Sequence, residues 1–334
     1  MKMTRRVILH IGRHKTGTTG LQLFLESRRA DLTKAGFCYP LSGRNQSPGQ
    51  SREDQSAHHG LARSLIGPRD IVRQSLKALR PAFLDEVRDA HTVILSSEGF
   101  QNVEHLDLLA AFLDGFEIET ICYLREYLSY VASAYAQEIK GSGMATDFIF
   151  FEQNFGFYLP QFIAPWKHIA RRSEWRLYDR ARLVDGNVIA DFVTIAELPL
   201  EPSRVEVDSN MSISGNLLGF KFILNMLGLH ANALGAPMNA LAMEHPRFRG
   251  PFHIDLATQK RLRANNSCNR TLRDMFGDIS EFDFEAGNRV FDPTCLEQDM
   301  KTILREFAQF EAVANHPLIA ALERGQMVAG EMPR

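Results

Sequence analysis

One stretch near the N-terminus constrains the fold more than any other, the sequence VILHIGRHKTGTT at positions 7–19. An apolar run ends at Gly12, a short basic turn follows, and apolar residues recur at helical spacing from Leu21 onward. This pattern predicts a strand, a phosphate-sized loop and a helix. Gly17 allows a tight turn, and the unpaired N–H groups at the start of the helix favour an anion there.

The loop matches the phosphate-binding P-loop pattern, G-x-x-x-x-G-K-[ST], only in part. Gly12 and Gly17 have the required spacing, but Thr18 stands where the pattern requires lysine, and the lysine of this loop is Lys15. A P-loop kinase or nucleoside triphosphatase is therefore one alternative, against which Thr18 argues. A non-catalytic nucleotide-binding module is a second alternative, and an ordinary turn between strand and helix is the third.

The segment HIGRHKTGTT at 10–19 resembles the 5′-phosphosulfate loop of sulfotransferases that use 3′-phosphoadenosine 5′-phosphosulfate (PAPS), and the form GxxKTGTT resembles their bacterial members. The resemblance implies that Lys15 stabilises charge on the bridging oxygen of the leaving group. It also implies that the loop holds the 5′-phosphate, that the product is adenosine 3′,5′-bisphosphate and that no metal is needed. The cofactor-binding residues implied here are Arg13, His14, Lys15, Thr16, Gly17, Thr18 and Thr19.

A second match follows the third predicted strand of the chain. Arg125 comes directly after that strand, and Ser133 is eight residues later in a predicted helix. This spacing resembles the 3′-phosphate motif of sulfotransferases, in which both side chains reach one phosphate. A guanidinium fork suits a phosphate dianion, and a hydroxyl adds a further donor.

Sulfuryl transfer also needs a base for the proton of the acceptor. Glu98 stands at the end of the predicted strand, directly after residues 92–97. Many sulfotransferases have a catalytic histidine or glutamate at this place, and we predict that Glu98 is the base. The alternative is that Glu98 caps a helix beginning near Asn102. His59 is predicted to lie on the substrate side of the site, and the alternative is that it is a surface histidine at the start of a helix. His59 and Glu104 are the reserve candidates for the base.

Strands alternate with helices as far as residue 180, which predicts an α/β fold with a central parallel sheet of about four to five strands and helices on both faces. The strands are expected near 7–11, 92–97, 119–124 and 175–178. The remainder is predicted to be mostly helical, with helices at 188–198, 209–229, 259–276 and 294–313. We expect one domain, 1–334, with a cofactor-binding core at 1–180 and a helical extension at 181–334. The sulfotransferase resemblance is strong over residues 7–140 and faint beyond them.

The composition limits the partners and the compartment. The net charge of −2 gives no broad electrostatic case for nucleic acid or an acidic membrane. The 4 cysteines form no C-x-x-C pair, and no apolar run reaches the length of a membrane span.

The first strand begins too early to leave room for a secretory signal, so we expect a cytoplasmic protein. Its expected partner is an acceptor substrate such as a glycan, a glycolipid or a small hydroxylated molecule; the sequence does not indicate the oligomeric state.

Overall fold

The structure is a computed structural model that describes residues 5–13, 16–45, 55–203, 212–229, 234–250, 254–264, 266–280, 294–314, 316, 317 and 319. His14 and Lys15 lie outside the described residues, as does most of the polar segment before His59.

The described elements follow each other in the alternating order that the sequence predicts. The strands are β1 (Arg6–Ile11), β2 (Phe37–Cys38), β3 (Thr92–Ser97), β4 (Glu117–Leu124) and β5 (Arg172–Leu177). The helices are α1 (Thr18–Ser27), α2 (Arg29–Lys34), α3 (His59–Arg63), α4 (Arg69–Glu86), α5 (Leu106–Phe112), α6 (Tyr127–Ser142), α7 (Phe148–Asn154), α8 (Leu159–Ile169), α9 (Val188–Ile195), α10 (Gly215–Met226), α11 (Gly235–Glu244), α12 (Leu256–Ala264), α13 (Ser267–Phe276), α14 (Leu296–Phe307) and α15 (Glu311–Ala314). Short 3₁₀ turns occur at Glu98–Asn102, Val184–Gly186 and Pro246–Phe248.

Within the described residues the strands form one five-stranded sheet in the order β2-β3-β1-β4-β5. Every pairing is parallel, and β1 lies in the centre, with Ile8 opposite Ile94 of β3 and Glu119 of β4. The α/β fold with a parallel sheet is therefore confirmed. The connections from β1 and β3 lead to opposite sides of β1, since β2 and β3 lie on one side and β4 and β5 on the other. Parallel sheets bind ligands beyond the carboxyl ends of the strands at such a point.

Helices cover both faces of the sheet, which explains why β1 and β3 are apolar without alternation. On the face that carries Ile8, side chains of α1 and α9 complete one core cluster, including Phe24 and Phe192. On the opposite face, the ring of Phe162 in α8 contacts the ring of Trp175 in β5, with centroids 5.9 Å apart. The prediction of helices on both faces is confirmed.

The chain divides into two compact units. Unit 1 comprises Met1–Glu126, Tyr158–Glu206 and Arg270–Ser280, and it contains the whole sheet. Unit 2 comprises Tyr127–Phe157, Val207–Asn269 and Glu281–Arg334, and its described elements are helical. The mostly helical C-terminal part is thus confirmed, whereas the single-domain organisation with a boundary at 180 stays a prediction.

Unit 2 is built around α10, in which almost every residue is buried. The rings of Phe220 in α10 and Phe307 in α14 pack edge to face, with centroids 5.1 Å apart. The helix predicted at 259–276 is two helices, α12 and α13, and the one predicted at 294–313 ends in a separate turn, α15. Among the described residues, no helix combines the length and the apolar character that a membrane crossing needs.

Candidate active site

The turn between β1 and α1 is held by its own threonines. The hydroxyl of Thr16 donates to the carbonyl oxygen of Arg13 at 2.7 Å, and the hydroxyl of Thr18 donates to the same oxygen at 3.3 Å. Gly17 has φ 75° and ψ 14°, and among the described residues no side chain caps α1 after it. Uncapped N–H groups at the start of a helix favour an anion, so the predicted phosphate site is compatible with this turn.

Neither glycine of this turn can carry a side chain without displacing its neighbours. A Cβ on Gly12 would lie 2.7 Å from Cγ2 of Thr18 and 3.1 Å from Cα of Glu98. A Cβ on Gly17 would lie 2.9 Å from Cγ1 of Val188 and 3.3 Å from the hydroxyl of Tyr178. The turn consequently packs directly against the residues that follow β3 and β5.

The predicted cofactor-binding residues of this turn have different environments. Arg13 is only 2% exposed, and its guanidinium carbon lies 5.3 Å from the ring centroid of Phe162. Thr16 and Thr18 are buried, and Thr19 is half-buried on the first turn of α1. His14 and Lys15 lie outside the described residues, so their predicted roles stay predictions. The cofactor contacts of the whole loop stay a prediction.

Glu98 is the first residue of the 3₁₀ turn that follows β3. Ser97 caps this turn, since its hydroxyl oxygen accepts a hydrogen bond from the N–H of Gly99 at 3.0 Å. Oε2 of Glu98 instead accepts a hydrogen bond from Nε2 of Gln22 at 3.1 Å. The Glu98 side chain is 21% exposed, which leaves it accessible to a substrate. The helix expected near Asn102 begins at Leu106 and has no side-chain cap among the described residues, so Glu98 caps neither that helix nor the 3₁₀ turn.

His59 lies beside Glu98, at the start of α3. Its Nδ1 is 2.8 Å from the hydroxyl of Ser97, and its Nε2 is 3.8 Å from Oε1 of Glu98. The imidazole is 17% exposed. Two of the candidates named from the sequence, His59 and Glu98, are thus brought together, while the third, Glu104, accepts a hydrogen bond from the N–H of Gly67.

Beneath the carboxylate lies a buried polar chain that the sequence reasoning missed. Nε2 of Gln22 also donates to the hydroxyl of Ser96 at 3.2 Å, and that hydroxyl is 2.8 Å from Nδ1 of His10. Burial lowers the pKa of His10 to about 4, and the nearby charge of Glu98 raises it by less. His10 is therefore neutral near pH 7. The sequence did contain a signal for this chain, since His10 and Ser96 are polar residues inside otherwise apolar strands. Such buried polar groups need hydrogen-bond partners.

Arg125 and Tyr178 follow the neighbouring strands β4 and β5. The guanidinium carbon of Arg125 lies 6.0 Å from the ring centroid of Tyr178, and burial lowers the pKa of this arginine. Tyr178 was not among the residues predicted from the sequence, although its position just beyond a strand end could have indicated it. Ser133 is half-buried in the middle of α6, in unit 2, whereas Arg125 is in unit 1. That Arg125 and Ser133 bind one phosphate together stays a prediction.

The comparisons with known proteins add little to this geometry. No family model matches the chain, and no solved structure matches it. An uncharacterized protein of Archaeoglobus fulgidus is 29% identical over 127 residues, which cover 36% of this chain and 35% of the archaeal protein. The match thus spans about a third of the length of that relative.

Proposed function

We propose that this protein is a PAPS-dependent sulfotransferase that acts in the cytoplasm. The acceptor is a hydroxyl, or an amine, of a carbohydrate, a glycolipid or another hydroxylated metabolite. One observation carries the proposal: the turn between β1 and α1 and the partly exposed carboxylate of Glu98 lie side by side at the carboxyl edge of the sheet, with Gly12 packed on the Cα of Glu98.

The turn suits the phosphate that bears the sulfuryl group. Its glycines let the backbone approach the ligand closely, and the start of α1 supplies N–H donors and the positive end of a helix dipole. Thr18 and Thr19 begin this helix. Lys15, which the resemblance assigns to the bridging oxygen of the leaving group, would act where negative charge develops.

Arg125 and Tyr178 support a second anion subsite in unit 1. Arg125 lies just beyond β4, and the hydroxyl of Tyr178 lies close to Gly17. A guanidinium with a neighbouring phenol suits a phosphate better than it suits an uncharged ligand. The proposal assigns the 3′-phosphate of PAPS to Arg125 and to Ser133, as the motif predicts.

Glu98 supplies the base. Transfer of a sulfuryl group resembles phosphoryl transfer in requiring in-line positioning and stabilisation of charge, and it requires removal of one proton from the acceptor. Two contacts support this role: Gln22 holds one oxygen of the carboxylate, and the Cα of Glu98 packs against Gly12 of the turn.

Two measurements test this function. Adenosine 3′,5′-bisphosphate should raise the melting temperature far more than AMP or ATP does, because only the bisphosphate fills both phosphate sites. Labelled PAPS should then transfer its sulfur to a member of a panel of glycans, glycolipids and small alcohols. Equal shifts with AMP and the bisphosphate would contradict the roles of Arg125 and Ser133. ATP hydrolysis would favour the kinase class, and bisphosphate binding without transfer would favour a non-catalytic module.

A further inference from the structure

We infer that Glu98 and His59 together bind the acceptor group, and that this pair selects a neutral alcohol over an amine. Oε1 of Glu98 accepts the proton of the hydroxyl, and the Nε2–H of His59 donates to its oxygen. This inference rests on the proposed sulfuryl transfer and names the chemical class of its acceptor.

The hydrogen bonds of Ser97 determine the tautomer of His59. The hydroxyl oxygen of Ser97 already accepts from the N–H of Gly99, and Ser97 is fully buried. Among the described residues, its hydroxyl hydrogen has one acceptor within reach, Nδ1 of His59 at 2.8 Å. A buried hydroxyl that donated nowhere would cost free energy, so Nδ1 accepts from Ser97. The ring proton of the neutral imidazole is then on Nε2, which faces Glu98.

The two oxygens of Glu98 have different partners. Oε2 accepts the hydrogen bond from Gln22 at 3.1 Å. Nε2 of His59 lies 3.8 Å from Oε1, which is too long for a direct hydrogen bond. One oxygen atom can lie about 2.8 Å from both atoms at once, which is an ordinary hydrogen-bond length. The pair therefore presents one acceptor and one donor to a single atom.

A hydroxyl group matches this pair, because it has one hydrogen to give and two lone pairs. The hydrogen goes to Oε1, one lone pair accepts from Nε2–H, and the second lone pair remains to attack sulfur. An alkylammonium group has three hydrogens and no lone pair, so it would direct a hydrogen against the Nε2–H of His59. A neutral amine has a single lone pair, which cannot both accept from His59 and attack.

The resulting step balances without any further reactant. The acceptor oxygen forms a bond to the sulfur of a phosphosulfate donor, and the bond from sulfur to the phosphate oxygen breaks. The electron pair of that bond leaves on the phosphate, and the hydroxyl proton goes to Oε1 of Glu98. His59 keeps its proton throughout and stabilises the attacking oxygen through its hydrogen bond.

The test compares matched alcohols and amines as acceptors of label from PAPS, for example cyclohexanol with cyclohexylamine and glucose with glucosamine blocked at its other reactive positions. Three variants accompany the wild type. His59→Gln keeps a donor at the place of Nε2, His59→Leu removes it, and His168→Gln changes an exposed histidine in α8 as the control. Bisphosphate-induced melting shifts are measured for each variant, so that loss of folding or of cofactor binding is recognised.

We expect the alcohol of each pair to be sulfated at least about tenfold faster than the amine, since one hydrogen bond made in the transition state has about this effect. His59→Leu should lose a similar factor on alcohols, with an unchanged bisphosphate shift, and His59→Gln should retain most of the rate. Transfer that favours the amine, or an equal loss in His59→Gln and His59→Leu, would overturn the inference while leaving the proposed function standing. Absence of both transfer and bisphosphate binding would overturn the two together.

Discussion

The side-chain amide of Gln22 joins two parts of the candidate site, because it donates a 3.1 Å hydrogen bond to Oε2 of Glu98 from the second turn of α1. The same helix begins at the turn that follows β1. Gln22 is only 1% exposed, and its second donated bond, to Ser96, fixes the amide plane. The helix that would bind the donor phosphate thus also orients the proposed base.

Gln22→Met tests this link, since methionine has a similar length and no donor. We expect turnover to fall by about tenfold because Oε2 of Glu98 loses its partner and the carboxylate can rotate away. The free energy of unfolding should fall by about 1–3 kcal/mol, the cost of leaving the buried Ser96 hydroxyl with fewer partners. Initial rates at saturating PAPS and urea titrations measure the two effects. Unchanged turnover in a destabilised variant would mean that Gln22 has a structural role only.

Glu98→Gln keeps the shape of the side chain and removes its basic oxygen. Turnover should drop by roughly a hundredfold or more, the usual range for losing a general base. The melting temperature and the bisphosphate shift should change little, because the carbonyl oxygen of glutamine can still accept from Gln22. Glu104→Gln is the matched control, and its rate should equal that of the wild type. Full activity of Glu98→Gln on the true acceptor would transfer the role of base to His59.

Lys15→Ala separates catalysis from cofactor binding in the turn. The variant should lose most of its turnover and retain much of its bisphosphate affinity, since the lysine acts chiefly where charge develops and the backbone N–H groups still bind the ground state. Single-turnover rates and bisphosphate titrations distinguish the two effects. Lys34→Ala, which alters an exposed lysine of α2, is the control. If affinity disappears together with turnover, Lys15 is primarily a binding residue.

Much of the fold could be predicted because β1, β3 and β4 each contain a buried, mostly apolar run. The runs at 7–11 and 92–97 are buried on both faces, and in the run at 119–124 only Glu119 is not. Their apolar residues therefore follow one another without alternation, and polar residues or glycine mark the strand ends. By contrast, β2 was missed because it has two residues, Phe37 and Cys38, and its existence depends on pairing with Thr92 and Val93 of β3. A strand this short has no periodicity of its own.

The site was predictable only as far as strand ends could be located. Glu98 and Arg125 were identified because each follows a predicted strand directly, and parallel strands end at one edge. Gln22 could not be identified in this way, since it is in the middle of a helix and acquires its role only when α1 packs on the sheet. The position of His59 beside Ser97 likewise depends on the packing of α3, which no local pattern contains.

An ion pair between a buried carboxylate and a partly exposed guanidinium anchors α9, the helix that packs against the turn. The carboxylate of Asp191 in α9 is fully buried and accepts from Arg176 at 2.7 Å and from the hydroxyl of Tyr123 at 3.1 Å. Asp191→Ala should lower the free energy of unfolding by about 1–3 kcal/mol, because it leaves the buried phenol of Tyr123 without its acceptor, while water can solvate the partly exposed Arg176. Urea titration measures this loss. Glu197→Ala, which removes an exposed partner of Arg6, should cost less than about 1 kcal/mol. Comparable losses in both variants would show that burial of Asp191 adds nothing.

The buried histidines beneath the site should make the protein sensitive to acid. Burial lowers the pKa of His10 to about 4 and, together with the charge of Arg44, lowers that of His58 to about 3. In the neutral ring of His58, Nδ1 accepts from the N–H of Ser96 at 3.1 Å and Nε2 lies 3.0 Å from the carbonyl oxygen of Pro40. Protonation would break the first of these bonds inside the fold. The unfolded chain has no such constraint and binds protons near pH 6.5.

Because the unfolded state binds more protons than the folded state below pH 6.5, the free energy of unfolding should be highest above that pH. It should then fall on acidification by up to about 1.4 kcal/mol per pH unit for each of the two groups, and level off for each group below its folded pKa. His58→Gln should be less stable than the wild type at pH 7, and the difference should shrink by pH 5. Urea midpoints at both pH values measure it, with His168→Gln as the control whose slope matches the wild type. A difference that stays constant between pH 7 and pH 5 would show that His58 takes up its proton equally in both states.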